Sequence, residues 1–288
     1  MAPRIPVKKT YKLFIGGAFP RSESGYTYDV TTPSGSFLAN AAQASRKDAR
    51  DAVVAARAAQ PGWAGATAYN RGQVLYRIAE MMEGRRAQFI EEVRLGEGGS
   101  ESQAAKQVDD AIDTWVWFAG WADKFAHVTG HQNPVSGPYF SLSVPEPTGV
   151  VVSWADASAK GVSLLGVVRA IAPIVVSGNA VVLWAHPDQP LPAMSFAEVL
   201  HTSDVPGGVV NIVTGVRGQA APWLASHRDV NALDLMGATE LDVVDLEQRA
   251  AETVKRVVTP FRGVAEMSLE RIQAFTELKT IWHTKALG

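Results

Sequence analysis

The 288-residue chain contains no cysteine. That absence excludes disulfides, thiolate zinc sites, iron–sulfur clusters and a cysteine nucleophile. An excess of either charge is also lacking: 27 Lys plus Arg face 29 Asp plus Glu, a formal net charge of −2. Nucleic acid and anionic lipid are normally met by a basic surface, so neither is expected as a partner. Nor is there an uninterrupted hydrophobic run. The longest candidate, Val162 to Trp184, is broken by Arg169, Pro173, Gly178 and Asn179 and reads as a buried helix followed by a buried strand. Met1 to Lys12 is basic without an apolar stretch, so no secretory leader is expected and the compartment reads as cytoplasmic. Neither a G-x-G-x-x-G fingerprint nor a P-loop occurs, and Gly215-Val216-Arg217-Gly218 has the wrong spacing for either.

What is present is a 47% apolar composition with eight Trp, ample for a buried core. Lys12 to Phe19 reads as a hairpin turning at Gly16-Gly17, and residues 20 to 44 as loop with short strands. Ser45 caps a helix running to about Gln60, where Pro61-Gly62 stops it. A second helix, about Asn70 to Leu95, carries Val74, Ile78, Met81 and Met82 at helical spacing. A third, Ser100 to about Phe125, places Val108, Ala111, Ile112, Trp115, Phe118 and Ala119 on one face. These Met and Trp stripes read as core packing rather than a cofactor box.

At Pro138 the pattern becomes extended: Tyr139, Phe140, Leu142 and Val144 precede Pro145-Glu146-Pro147, whose prolines suit an exposed ribbon or an edge. From Gly149 strands and helices alternate. Strands are expected at 150–152, 180–183, 209–213, 232–235 and 256–258, and helices at 164–172, 191–202, 219–226 and 239–255. Repeated βα units of this length imply an α/β fold with a Rossmann-like, doubly wound parallel sheet. Ligands of such sheets bind beyond the carboxyl ends of the strands. Here those ends are Ser153-Trp154, Trp184 to His186, Thr214-Gly215 and Met236 to Thr239. Gly237 permits close backbone approach. Ala238-Thr239 opens either a helix whose free amides hold an anion or a plain tight turn capped by Thr239.

The remaining polar residues offer little chemistry. His127 and His131 stand at i, i+4 with no further ligand in view, so no metal is expected. Asp109-Asp110-Asp113 reads as a solvated helix face, and Ser153 and Ser163 lack an adjoining base.

Several motifs in order carry a family resemblance: Phe14-Ile15-Gly16-Gly17, Gly149-Val150-Val151, Ser177-Gly178-Asn179-Ala180-Val181-Val182-Leu183, Pro206 to Gly215, and Gly237-Ala238-Thr239-Glu240. Together they resemble the coenzyme-binding domain of the aldehyde dehydrogenase superfamily. The segment near Gly137 to Val144 resembles that family's oligomerisation strand, and Ser268 to His283 its C-terminal helix and strand. The resemblance implies four segments: 1–133 with the hairpin and helices, 134–148 with the oligomerisation strand, 149–263 with the Rossmann-like units, and 264–288 with the closing helix and strand. The family's catalytic domain is then expected to be missing, as in the cysteine-free second module of the family-sixteen enzymes.

The family's chemistry implies a Cys nucleophile, an Asn at the oxyanion and a Glu that activates water. This chain has no Cys and no Asn between Asn133 and Asn179, and Pro260 stands at the Glu position in Val258-Thr259-Pro260-Phe261-Arg262-Gly263. No catalytic residue is therefore assigned. Of the positions the resemblance links to the dinucleotide, Trp154, Trp184, Gly215, Gly237 and Thr239 form a vestigial cofactor set. Trp184 stands where a ribose-binding Lys is expected, Pro187 in place of a Glu, and Asp242 in place of a small Gly. No cofactor is expected, Trp154 and Trp184 filling the space of a dinucleotide. Residual NAD or NADP binding, with activity on an aldehyde, is the alternative. Tyr139, Phe140, Leu142, Val144, Leu278, Ile281 and Trp282 are the expected interface anchors. A complete catalytic aldehyde dehydrogenase is the expected partner, and a homo-oligomer the other possibility.

Overall fold

The computed structural model describes residues 7–156, 161–260 and 265–285. The N-terminal part holds β1 (Thr10–Tyr11), β2 (Thr27–Thr31) and β3 (Phe37–Ala42), a small sheet in the order β1-β3-β2. Helices α1 (Arg46–Gly65), α2 (Ala68–Glu83), α3 (Arg86–Glu97), α4 (Glu101–Trp121) and α5 (Phe125–Thr129) follow, then β4 (His131–Asn133) and β5 (Tyr139–Pro147). The βα region runs β6 (Val150–Trp154), α6 (Leu165–Val175), β7 (Ala180–Trp184), α7 (Leu191–Thr202), β8 (Val210–Val213), α8 (Ala221–Ser226), β9 (Ala232–Asp234), α9 (Val243–Ala251) and β10 (Arg256–Val258). Ten residues beyond β10 the chain enters α10 (Leu269–Gln273) and then β11 (Thr276–Thr284).

β6 to β10 form a five-stranded sheet in the order β10-β9-β6-β7-β8, every pair parallel. The chain steps outward from β6 through β7 to β8, then crosses back to β9 on the other side of β6. That reversal is the topological switch point of a doubly wound sheet. Side chains alternate along each strand, and the two faces bury separate cores. Val151, Val181 and Leu183 pack with residues of α4, α6 and α7, whereas Val150, Val152, Trp154, Val182 and Trp184 pack with α1, α8 and α9. Every residue of β6, β7 and β8 is buried, as expected for a parallel sheet covered on both faces. Val162 to Trp184 resolves into α6 and β7, and among the described residues no helix is long and apolar enough to cross a membrane.

The structure corrects four expectations from the sequence. α1 passes through Pro61 and ends at Gly65. The prolyl residue forfeits one N–H bond, but Trp63 beyond it is buried and its indole Nε1 donates to Val175 O at 2.8 Å, which holds that last turn in place. The second expected helix is two, α2 and α3, parted at Gly84-Arg85. Pro145 and Pro147 lie within β5 rather than after it. β4 pairs only with residues 141–143, so the prolines sit where β5 has a single neighbour, β11, and their missing donors leave no ladder position empty on the other side. Finally, the helix expected from Thr239 begins at Val243, with Asp242 as its cap accepting from Asp245 N at 3.1 Å.

The motifs quoted from the sequence meet in space. Gly16 and Gly17, both at positive φ, turn the hairpin so that Phe14 bridges Ile212 on the outer edge of the parallel sheet. A Cβ on Gly17 would lie 2.8 Å from Gly207 Cα, and one on Gly207 2.6 Å from Gly16 O. Asn211 Oδ1 accepts from Gly16 N at 2.9 Å.

Candidate functional site at the carboxyl ends of the sheet

The crevice beyond the carboxyl ends of β6, β7 and β9 is where a ligand of this fold is looked for. Trp184 closes β7 with its ring fully buried and its Nε1 donating to Gly215 O at 2.8 Å. Trp154 closes β6, also fully buried, on the same face of the sheet as Trp184. Gly215 has φ 114°, and a Cβ there would stand 3.1 Å from Ala44 N, so its glycine serves the junction with the N-terminal segment. Gly237 packs on backbone: a Cβ would lie 2.1 Å from Trp154 O and 2.6 Å from Asp156 N. Thr239 is exposed and its hydroxyl faces Glu240 at 3.3 Å. α9 starts four residues later with Asp242 as its cap, so of the two readings left open for Ala238-Thr239 neither a helix start nor a cap at Thr239 is found, and residues 237–241 form a turn.

One residue that the sequence reading passed over dominates this crevice. Arg217, in the 3₁₀ turn after β8, is 2% exposed. Its Nε donates to Ala185 O at 3.3 Å, and Nη1 to Gly237 O at 3.1 Å and Glu240 Oε1 at 2.8 Å. Its Nη2 donates to Trp184 O at 3.3 Å and to Ala155 O. All five N–H donors of the guanidinium are thereby engaged. Burial pulls the Arg217 pKa down and Glu240 opposes it; a guanidinium nevertheless stays charged. The same environment lowers the pKa of His186, first through burial and then through Arg217, so that ring is neutral near pH 7. The visible signal in the sequence was a charged residue in a glycine-flanked loop directly after a strand, and nothing local announced its burial.

Two openings border the crevice. A cavity of about 80 Å³ lies against α6, with Asp156, Arg169, Asp234, Glu266 and Arg271 in its wall. It has room for a few waters, far below the roughly 300–1,000 Å³ of ligand pockets. Asp234, fully buried at the end of β9, accepts from Arg271 Nη2 at 3.0 Å and from Ser153 Oγ at 3.1 Å. This pair docks α10 onto the sheet. A wider, more open cleft of about 600 Å³ runs between β2 and the turn at 187–189, and the charged side chains in its wall, Asp29 and Asp188, are both acidic. Their sign disfavours a phosphate.

The other sequence candidates do not converge. Ser163 is buried beneath α4, its N–H donating to Glu97 Oε1 at 3.0 Å. His127 lies on α5 and His131 on β4, so they do not share a helix face. Among the described residues no group of three or more His, Cys, Asp or Glu is placed to hold a metal. Pro260 follows β10, and Phe261, Arg262 and Gly263 lie outside the described residues.

The sequence model described as "Aldehyde dehydrogenase family" matches residues 19–267. The chain belongs to the aldehyde dehydrogenase family. A putative aldehyde dehydrogenase, DhaS, of Bacillus subtilis (strain 168) is 31% identical over 261 residues, covering 88% of this chain and 51% of that protein. The cytosolic 10-formyltetrahydrofolate dehydrogenase of Mus musculus is 31% identical over 268 residues, 90% of this chain and 29% of that protein. Among solved structures, an NAD-dependent aldehyde dehydrogenase from Sinorhizobium meliloti superposes with a TM-score of 0.79 at 26% identity, covering 88% of this chain and 50% of that one. A putative aldehyde dehydrogenase from Burkholderia cenocepacia gives 0.79 at 28% identity, with 86% and 50% covered. This aldehyde dehydrogenase family chain thus spans about half the length of the relatives and structures it matches, and less than a third of the 10-formyltetrahydrofolate dehydrogenase.

The second candidate region is the sheet β11-β5-β4, in which β5 and β11 pair antiparallel over nine residues from Thr276↔Pro147 to Thr284↔Tyr139. Register puts Tyr139, Leu278 and Trp282 on one face, with the Tyr139 and Trp282 rings 6.0 Å apart. Phe140, Leu142, Val144 and Ile281 line the other face, each half-buried. Leu278 and Trp282 are 57% and 59% exposed. Among the described residues no strand pairs with the outer edge of β11.

Proposed function

We propose that this chain is a non-catalytic member of the aldehyde dehydrogenase family that acts as a structural or regulatory subunit, assembling with a complete NAD(P)-dependent aldehyde dehydrogenase through the β5–β11 ribbon. The observation that carries the reading is the ribbon itself. Nine residues of β11 leave an unpaired edge about 30 Å long, and large apolar side chains stand exposed or half-buried on both faces beside it. Such an edge is a template for another strand, and exposed Trp and Tyr are the side chains that anchor interfaces. The chemistry supports a non-catalytic role: with no cysteine there is no thiolate to attack an aldehyde. Loss of the nucleophile leaves the scaffold and its pairing surfaces as the properties that remain useful.

The test is native mass, measured for the protein alone and mixed with a full-length aldehyde dehydrogenase from the same cells, together with the turnover of that enzyme. Co-migration and a changed turnover are expected. A protein that stays monomeric alone and in every such mixture at about 50 μM rules the assembly out, because specific subunit contacts hold at far lower concentrations.

A further inference from the structure

We propose that Arg217 is a resident plug of the switch-point crevice, so that this chain binds neither NAD nor NADP although it keeps the dinucleotide-binding fold. In a doubly wound sheet the ligand enters between the two strands at which the winding reverses, here β6 and β9. Arg217 reaches across that gap from the end of β8. Its guanidinium donates to Ala155 O beyond β6 and Gly237 O beyond β9, and to Trp184 O and Ala185 O at the end of β7. These carbonyls mark the ends of three strands, and one side chain ties them together.

Arg217 is not a latent phosphate receptor. An arginine that greets a phosphate keeps N–H groups free for it, and all five here are spent inside the protein. Moving the guanidinium aside would strand buried carbonyls and the charge itself. The backbone of Gly237, whose O accepts from Arg217, packs against Trp154 O and Asp156 N, where a Cβ would lie 2.1 and 2.6 Å away. Trp184 adds a second obstacle at the β7 end, where its fully buried indole is bonded to Gly215 O. The residues therefore do not fit the cofactor of the NAD-dependent structure this chain resembles.

The experiment titrates the whole protein with ADP, NAD and NADP by calorimetry, with the full-length Sinorhizobium meliloti relative as the positive control. The wild type is expected to show no binding up to about 5 mM, and the double variant Arg217→Gly, Trp184→Lys to bind at least one of the three with an affinity about tenfold inside that limit. A micromolar wild-type Kd for NAD or NADP overturns the proposal. So does a folded double variant with no gain. If that variant does not fold, the wild type still decides through the ¹⁵N spectrum of its arginine side chains. A slowly exchanging Arg217 Nε–H, lost in Arg217→Lys and unmoved by nucleotide, is the expected signature; a rapidly exchanging one places the guanidinium in solvent and refutes the plug. Native mass is not read here, so the assembly proposed above stands or falls separately.

Discussion

The buried charges of this molecule are matched residue to residue across long stretches of chain, and their energetics follow from that matching. Asp234 and Arg271 are both nearly inaccessible and pair at 3.0 Å, with Arg271 also lying over the Phe275 ring. Removing one member of a buried pair leaves the other charge unpaired, at about 3–5 kcal/mol. Asp234→Ala should therefore lose that much stability in urea unfolding, while Asp234→Leu with Arg271→Met should recover most of it. Glu92 is a different case. Its Oε1 accepts from Ser195 Oγ at 2.8 Å and Gln88 Nε2 at 3.0 Å, and its Oε2 is buried without a partner. Burial raises its pKa, the hydrogen bonds from Gln88 and Ser195 opposing. A carboxyl with a raised folded pKa favours the folded state while protonated, and that contribution is lost as pH rises through the folded value. Glu92→Gln should consequently gain about 1 kcal/mol over the wild type at pH 8 and nothing near pH 4, measured by denaturation at both. Neither long-range pairing was legible in the sequence: Asp234 and Arg271 stand 37 residues apart, and Glu92 and Ser195 stand 103 apart. Composition and periodicity carry no information about which distant polar groups meet.

At the scale of elements the sequence was far more informative, because burial imposes a period that can be counted. The face of α4 named from spacing, Val108 to Ala119, is the buried face, and the range expected for α7 is the range found. Departures came where a tertiary contact overrode a local signal. Trp63 carries α1 through Pro61, and Gly84 divides two helices whose apolar stripes continue almost unbroken. α9 starts later than the sequence suggests because Thr239 and Asp242 are both acceptable caps, and it is Asp242 whose side chain accepts from the first turn, at Asp245 N. The glycines were legible as motifs but not as contacts. Gly208 has φ 93°, and a Cβ there would stand 2.6 Å from Ala55 O on α1. Gly208→Ala should cost about 3 kcal/mol, through strained backbone and a displaced helix. The same change at Gly218, which has open space around its Cα, should stay within about 0.5 kcal/mol. Comparing the two thermal midpoints checks both.

For the molecule as a whole, the question is what the C-terminal segment is for, since it is tied firmly at one end and exposed at the other. Asn179, fully buried, accepts from Gly149 N at 2.7 Å and donates to Phe275 O at 2.8 Å, joining the root of the ribbon to the parallel sheet. Phe275 and Ile272 are completely buried beside it. Beyond Thr276 the segment touches mainly β5, and its side chains turn outward. A strand anchored this way gains little for its own fold from Leu278 and Trp282, because side chains more than half exposed contribute a small part of the ~1.5–3 kcal/mol of full burial. Their contribution is available to a contact with another chain. Leu278→Glu with Trp282→Glu should therefore leave the thermal midpoint within a few degrees of the wild type yet weaken any subunit association at least about tenfold, the effect of ~1.4 kcal/mol at an interface. Sedimentation at several concentrations separates the two outcomes. If the midpoint collapses while the mass is unchanged, these side chains belong to the monomer's own core and the ribbon is not a pairing surface.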